Sequence, residues 1–125
     1  MPGNQVGERL RAAPAVSRPR VRDITWAAGF YEGEGSAFFS DTARSHRIVI
    51  NQVEREPLEK MKAHFGGHIY RIPAHRMSKP SWRWVAYGAR ARGIMLTLYA
   101  LLSQKRQAQL RKVIAEGKVR TQRRS

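Results

Sequence analysis

Apolar positions along the chain alternate between two periods. Ile24, Trp26 and Phe30 give the first stretch, 24–36, the pattern of a short helix, with Asp23 or Thr25 able to cap its start and Gly35 to stop it. Ser36–Ser40 and Arg47–Gln52 read as strands, the second with its apolar set at Ile48 and Ile50, joined by the polar stretch Asp41–His46. Pro57 opens a helix in which Leu58, Met61 and Phe65 recur at helical spacing and which Gly66 and Gly67 end. His68–Ile72 is a third strand, Pro73–Pro80 a loop, and Ser81–Ala86 a fourth strand with Trp82 and Trp84 on one face, Ser81 and Arg83 on the other. Ala89–Leu102 is an amphipathic helix burying Ile94, Leu98 and Leu101 or Leu102; Gln104–Glu116 is a last helix with Ala108, Leu110 and Ile114 on its apolar side.

The order αββαββαα predicts an α+β fold. Four antiparallel strands form a sheet with helices on one face and the other face open. No segment repeats.

Charge adds a partner to this picture. At 125 residues the chain is one domain, with 24 basic against 9 acidic residues, a net charge of +15 and a pI near 11.5. Residues 1–22 and 117–125 carry +4 each, which leaves +7 on the domain at 23–116. The first segment reads as a disordered basic arm, the last as a basic tail. Nucleic acid is the expected partner; no apolar run is long enough to span a membrane, and no apolar segment follows the basic N-terminus as a secretory signal requires. The absence of cysteine excludes disulfides and thiolate metal sites, and the four histidines lack metal-ligand spacing.

The first helix carries an oddity. Gly29 and Gly33 lie four apart, so one face is bare and admits close approach by another backbone. That backbone is either a second copy of the chain or a neighbouring helix of the same one. Glu32 and Glu34 stand at the C-terminal end, where the helix dipole disfavours anions. Two acids against the dipole, beside glycines, point to a cation or a reaction.

The nonamer Ala27–Gly35, AAGFYEGEG, resembles the signature of the LAGLIDADG homing endonucleases. Ala28, Gly29 and Gly35 match by identity, Phe30 and Tyr31 stand at apolar positions, Gly33 at a small one, and Glu32 and Glu34 at the acidic ones; Ala27 replaces the usual leucine. Ser36–Phe39 resembles the strand that follows in that family, and the element order from about Asp23 to Ile114 is the family's plan.

The resemblance implies a site. Glu34 matches the family's metal-binding acid and the Gly33 carbonyl a ligand beside it, for Mg²⁺ or Mn²⁺, hard cations suited to phosphodiester hydrolysis. Glu32 either touches metal or hydrogen-bonds across a helix pair. Gln52 falls where the family orients active-site water, or is a plain strand-end glutamine. The family's basic residue before the last helix falls on Gln104, so Lys105, with Arg106 as substitute, is the candidate for stabilising the phosphate. A single motif implies a homodimer through Ala28, Gly29, Glu32 and Gly33 on a nearly palindromic target.

For DNA reading, strand alternation puts Phe38, Ser40, Thr42 and Arg44, then Arg47, Val49 and Asn51, then Tyr70, Ser81 and Arg83 on the open face. The function implied is site-specific cleavage of double-stranded DNA, across the minor groove with short 3′ overhangs. The encoding element would be an intron or another mobile insertion, and the setting intracellular: a bacterial or phage-infected cytoplasm, or an organelle matrix. One alternative is an inactive relative, either a DNA-binding regulator or a maturase that binds structured RNA. A basic ribosomal-type structural protein accounts for the charge but not for the acids.

Overall fold

A computed structural model describes residues 18–124, with side chains to residue 116; the expected N-terminal arm falls mostly outside these residues. The elements are α1 (Val21–Glu34), β1 (Gly35–Ser40), β2 (Ser45–Gln52), α2 (Glu56–Phe65), β3 (His68–Ile72), β4 (Ser81–Tyr87), α3 (Gly88–Tyr99) and α4 (Gln104–Arg124). The order is the expected αββαββαα. All strand pairs are antiparallel and the sheet order is β1-β2-β4-β3.

The register divides the sheet into two faces. Ile50 pairs with Trp84 and Ile48 with Ala86, and all four are buried against the helices. Trp84 sits at the centre, fully buried, and its indole N–H donates to the Gly66 carbonyl at 2.8 Å. Gly67 follows with φ +94°, and a Cβ there would lie 2.7 Å from that indole nitrogen and 2.8 Å from the Val85 carbonyl oxygen. The glycine pair therefore does more than end α2: it lets the chain close over Trp84. Ala27, Ala28 and Tyr31 from α1, Leu58 and Met61 from α2, Ala91, Ile94, Met95 and Leu98 from α3, and Leu110 from α4 complete the core.

Several local expectations change. Arg20, not Asp23 or Thr25, caps α1; Asp23 sits in the first turn and accepts the Arg20 backbone N–H at 3.0 Å. That hydrogen bond, with the charges of His64, Arg20 and Arg22, holds the Asp23 carboxyl below its ordinary range despite its desolvation. Gly35 is the C-cap of α1, as expected, with an extended backbone (φ −87°). Its necessity is steric, because a Cβ would run into the Tyr31 ring. Of the pair Leu101 or Leu102 it is Leu102 that is buried, as one alternative had it, whereas Ala108 is exposed, with Val113 packing beside Leu110 instead. The last helix, expected to end at Glu116, runs on to Arg124.

Candidate nucleic-acid interface and acidic centre

The open face of the sheet is built by alternation. Phe38 pairs with Arg47, Arg47 with Tyr87, Val49 with Val85, Asn51 with Arg83, and Arg83 with Tyr70. All these residues, with Ser40 and Ser81, share the parity opposite Ile48, Ile50 and Trp84 and face away from the helices. Phe38, Arg47, Val49, Tyr70, Arg83, Val85 and Tyr87 line a cleft of about 350 Å³, closed at one side by 71–73. Thr42 and Arg44 are exceptions. They belong to the exposed turn Asp41–Arg44 and do not continue the strand, and Ser40 supports that turn by accepting the Ala43 N–H at 3.2 Å. Arg44 takes φ +53°, a left-handed conformation uncommon for a residue with a Cβ.

The side chains on this face hold one another. The Arg47 guanidinium lies 4.4 Å from the Tyr87 ring centroid, a cation–π contact. The Tyr87 hydroxyl donates to that of Tyr70 at 3.1 Å, and Arg83 Nε donates to Asn51 Oδ1 at 2.9 Å. Burial, reinforced by the Tyr70 hydroxyl, raises the Tyr87 phenol above its ordinary value, so it is neutral at physiological pH. Tyr87 and Val85 were absent from the expected set, although alternation carried two and four residues past Arg83 finds both.

The acidic centre lies where α1 ends and β1 begins. Gly29 and Gly33 are exposed, and a Cβ at either would meet nothing within 4 Å among the described residues. No helix among the described residues therefore covers this strip. Ala28, expected on the same face, is instead 2% exposed and belongs to the chain's own core. Glu34 is exposed at the end of the strip and makes no hydrogen bond or ion pair among the described residues. Glu32 is engaged within its own chain. Its Oε1 accepts the Ser103 backbone N–H at 2.8 Å and its Oε2 the Ser103 hydroxyl at 2.7 Å. Ser103 directly precedes α4, so Glu32 neutralises the positive end of that helix. The backbone bond and the hydroxyl bond from Ser103 hold the Glu32 carboxyl below its ordinary value, with Arg106 and Lys105 adding charge.

Arg106 is spoken for. Its Nε donates to the Glu32 carbonyl at 3.2 Å and its guanidinium lies 5.3 Å from the Tyr31 ring centroid. Lys105 and Gln104 are exposed beside it. Gln52 pairs with Trp82 and shares the parity of Ile50, so it ends β2 on the helix side of the sheet.

Among the described residues no three His, Asp or Glu side chains cluster as a ready metal site. One chain offers the Glu34 carboxylate and nearby backbone carbonyls, all hard oxygen donors. Mg²⁺ takes about six oxygens. The donor set fits such a cation if phosphate and water oxygens complete it.

No family model matches the chain, and no curated protein matches it. Solved structures do. The chain is similar to the homing endonuclease I-CvuI in complex with its target in the presence of calcium, at 17% identity and a TM-score of 0.59, over 79% of this chain and 69% of that one. A second structure of I-CvuI, with the I-CreI target in magnesium and the DNA not cleaved, gives the same values. The archaeal intron-encoded homing endonuclease I-Vdi141I, complexed with DNA, matches at 20% identity and a TM-score of 0.52, over 69% of this chain and 61% of that one. The chain thus has the LAGLIDADG homing-endonuclease fold, as the nonamer led one to expect.

Proposed function

We propose that the chain is a site-specific endonuclease of double-stranded DNA that works as a homodimer with a divalent cation. The observation that carries the reading is the uncovered Gly29/Gly33 strip leading to the uncommitted Glu34, beside an arginine-bearing open sheet face. Two copies that pair their strips bring the two Glu34 carboxylates together at the base of the pair, between two sheets aimed the same way. The open faces then follow one duplex, each reading half of a near-palindrome. The three similar solved structures are of two homing endonucleases held on DNA, which supports the same substrate.

In this reading Glu34 and the Gly33 carbonyl hold Mg²⁺ or Mn²⁺. Such an ion, when bound, lowers the pKa of a water and neutralises charge on the phosphate. Gln52 positions water at the β2 end, and Lys105 offers its ammonium to the scissile phosphate. Arg44, Arg47 and Arg83, with Phe38, Ser40, Thr42, Val49, Asn51, Tyr70 and Ser81, contact the duplex.

One observation favours a second reading, a binding protein without cleavage. The expected lysine position is Gln104, and the nearest half-buried cation, Arg106, is tied to the Glu32 carbonyl. A randomised duplex library incubated with Mg²⁺, with cut ends recovered, separates the two. Cutting at one near-palindrome, abolished by Glu34→Gln, establishes the nuclease; specific binding by both proteins with no cutting leaves the binding protein.

A further inference from the structure

We infer that Arg83, steered by Asn51, is a specificity-determining residue that reads a guanine in each half of the target. The inference rests on the proposal that the open sheet face lies on duplex DNA. Arg83 and Asn51 face each other across β4 and β2, and both are exposed. The guanidinium is a rigid plane, so the 2.9 Å bond from Nε to Asn51 Oδ1 fixes the plane as well as one nitrogen. The two Nη groups then remain as a fork, with no hydrogen-bond partner among the described residues.

The other arginines of the site are held differently. Arg47 is half-buried with its guanidinium over the Tyr87 ring, so its position is set by that cation–π contact and not through Nε. Arg44 sits in the turn, and Arg71 shares the helix-side parity of Ile69. Arg83 alone among these has a preset fork on the open face.

A fork of two parallel N–H groups matches guanine O6 and N7 in the major groove. Adenine offers N7 but turns an amino group toward the second N–H, so the same fork discriminates against it. A phosphate also accepts the fork. That alternative carries no sequence information and predicts a uniform loss of affinity on mutation, whereas a base contact predicts a loss confined to one position.

The test is binding-site selection from a random duplex library, with the full chain in EDTA so that binding alone is read. The wild type is expected to select a guanine at one fixed place in each half-site. Arg83→Lys, which keeps the charge, should relax that place by about ten-fold or more and leave other positions unchanged. Asn51→Ala should relax the same place, and Asn51→Asp, which restores the acceptor for Nε, should recover the guanine preference at lower overall affinity. An Arg83→Lys pool that keeps the wild-type consensus, or loses affinity evenly for every sequence, would overturn the assignment while leaving the DNA reading intact. A wild-type pool with no consensus would overturn that reading and this inference with it.

Discussion

Glu32 and Glu34 leave the same helix end two residues apart, yet the first is absorbed by the N-terminus of α4 and the second makes no contact among the described residues. Two residues turn a helix through about 200°, so the two carboxylates point to opposite sides. Both stand against the dipole of α1. For Glu32 the positive end of α4 offsets that penalty; for Glu34 nothing among the described residues does. An acid whose unfavourable position is compensated locally belongs to the architecture. One left uncompensated is where the proposed cation would supply the balance.

The sharpest way to break the comparison is Glu34→Gln. DNA cleavage should fall by about a hundred-fold or more, with the thermal unfolding midpoint unchanged. Gly29→Leu asks whether the strip beside Glu34 is an interface. Dimers should be lost on size-exclusion chromatography, while the monomer gains about 0.5–1 kcal/mol in urea unfolding because leucine is the better helix former. Loss of monomer stability instead would mean that part of the same chain covers the strip.

Glu32→Ala should show the opposite pattern from Glu34→Gln, a fall of a few degrees in the unfolding midpoint from an uncapped α4. Acid sharpens this further. The folded carboxyl of Glu32 titrates below its ordinary 4.5, so its stabilisation is complete above that value and is lost as pH falls through the folded value. The gap in midpoint between wild type and Glu32→Gln should therefore narrow below pH 4.5. The smallest effect is Arg44→Gly, which relieves the left-handed turn. It should add up to about 1 kcal/mol of stability by urea titration and weaken DNA binding, the trade expected of a functional residue in a strained position.

The architecture was legible because two periods carry it. Ile48, Ile50, Trp82 and Trp84 declare one sheet face, and Leu58, Met61 and Phe65 declare a helix. What was not legible depends on contacts between distant residues. The partner of Glu32 lies 71 residues away and no local pattern announces it. The reason for Gly35 is the Tyr31 ring four residues before it, a clash that spacing alone does not reveal. Ala28 matched the signature, but the rotation of α1 that turns it inward is set by packing against the rest of the core. Alternation failed at Thr42 and Arg44 because a turn has no alternation to extend. It stopped short at Arg83 only because β4 runs to Tyr87.

The sheet order leaves β1 and β3 as outer strands, and the two margins are guarded against self-assembly in different ways. Alongside β1 lies α4, with Val113 and Lys112 joining Phe39 and Ser36 around a shared cleft. At the β3 margin the strand is only five residues long, carries exposed Arg71 and runs into Pro73, which has no N–H to donate. Short length, positive charge and proline each discourage a second molecule from adding a strand. If the chain gathers at high local density on DNA, as proposed, this margin resists growing into aggregates.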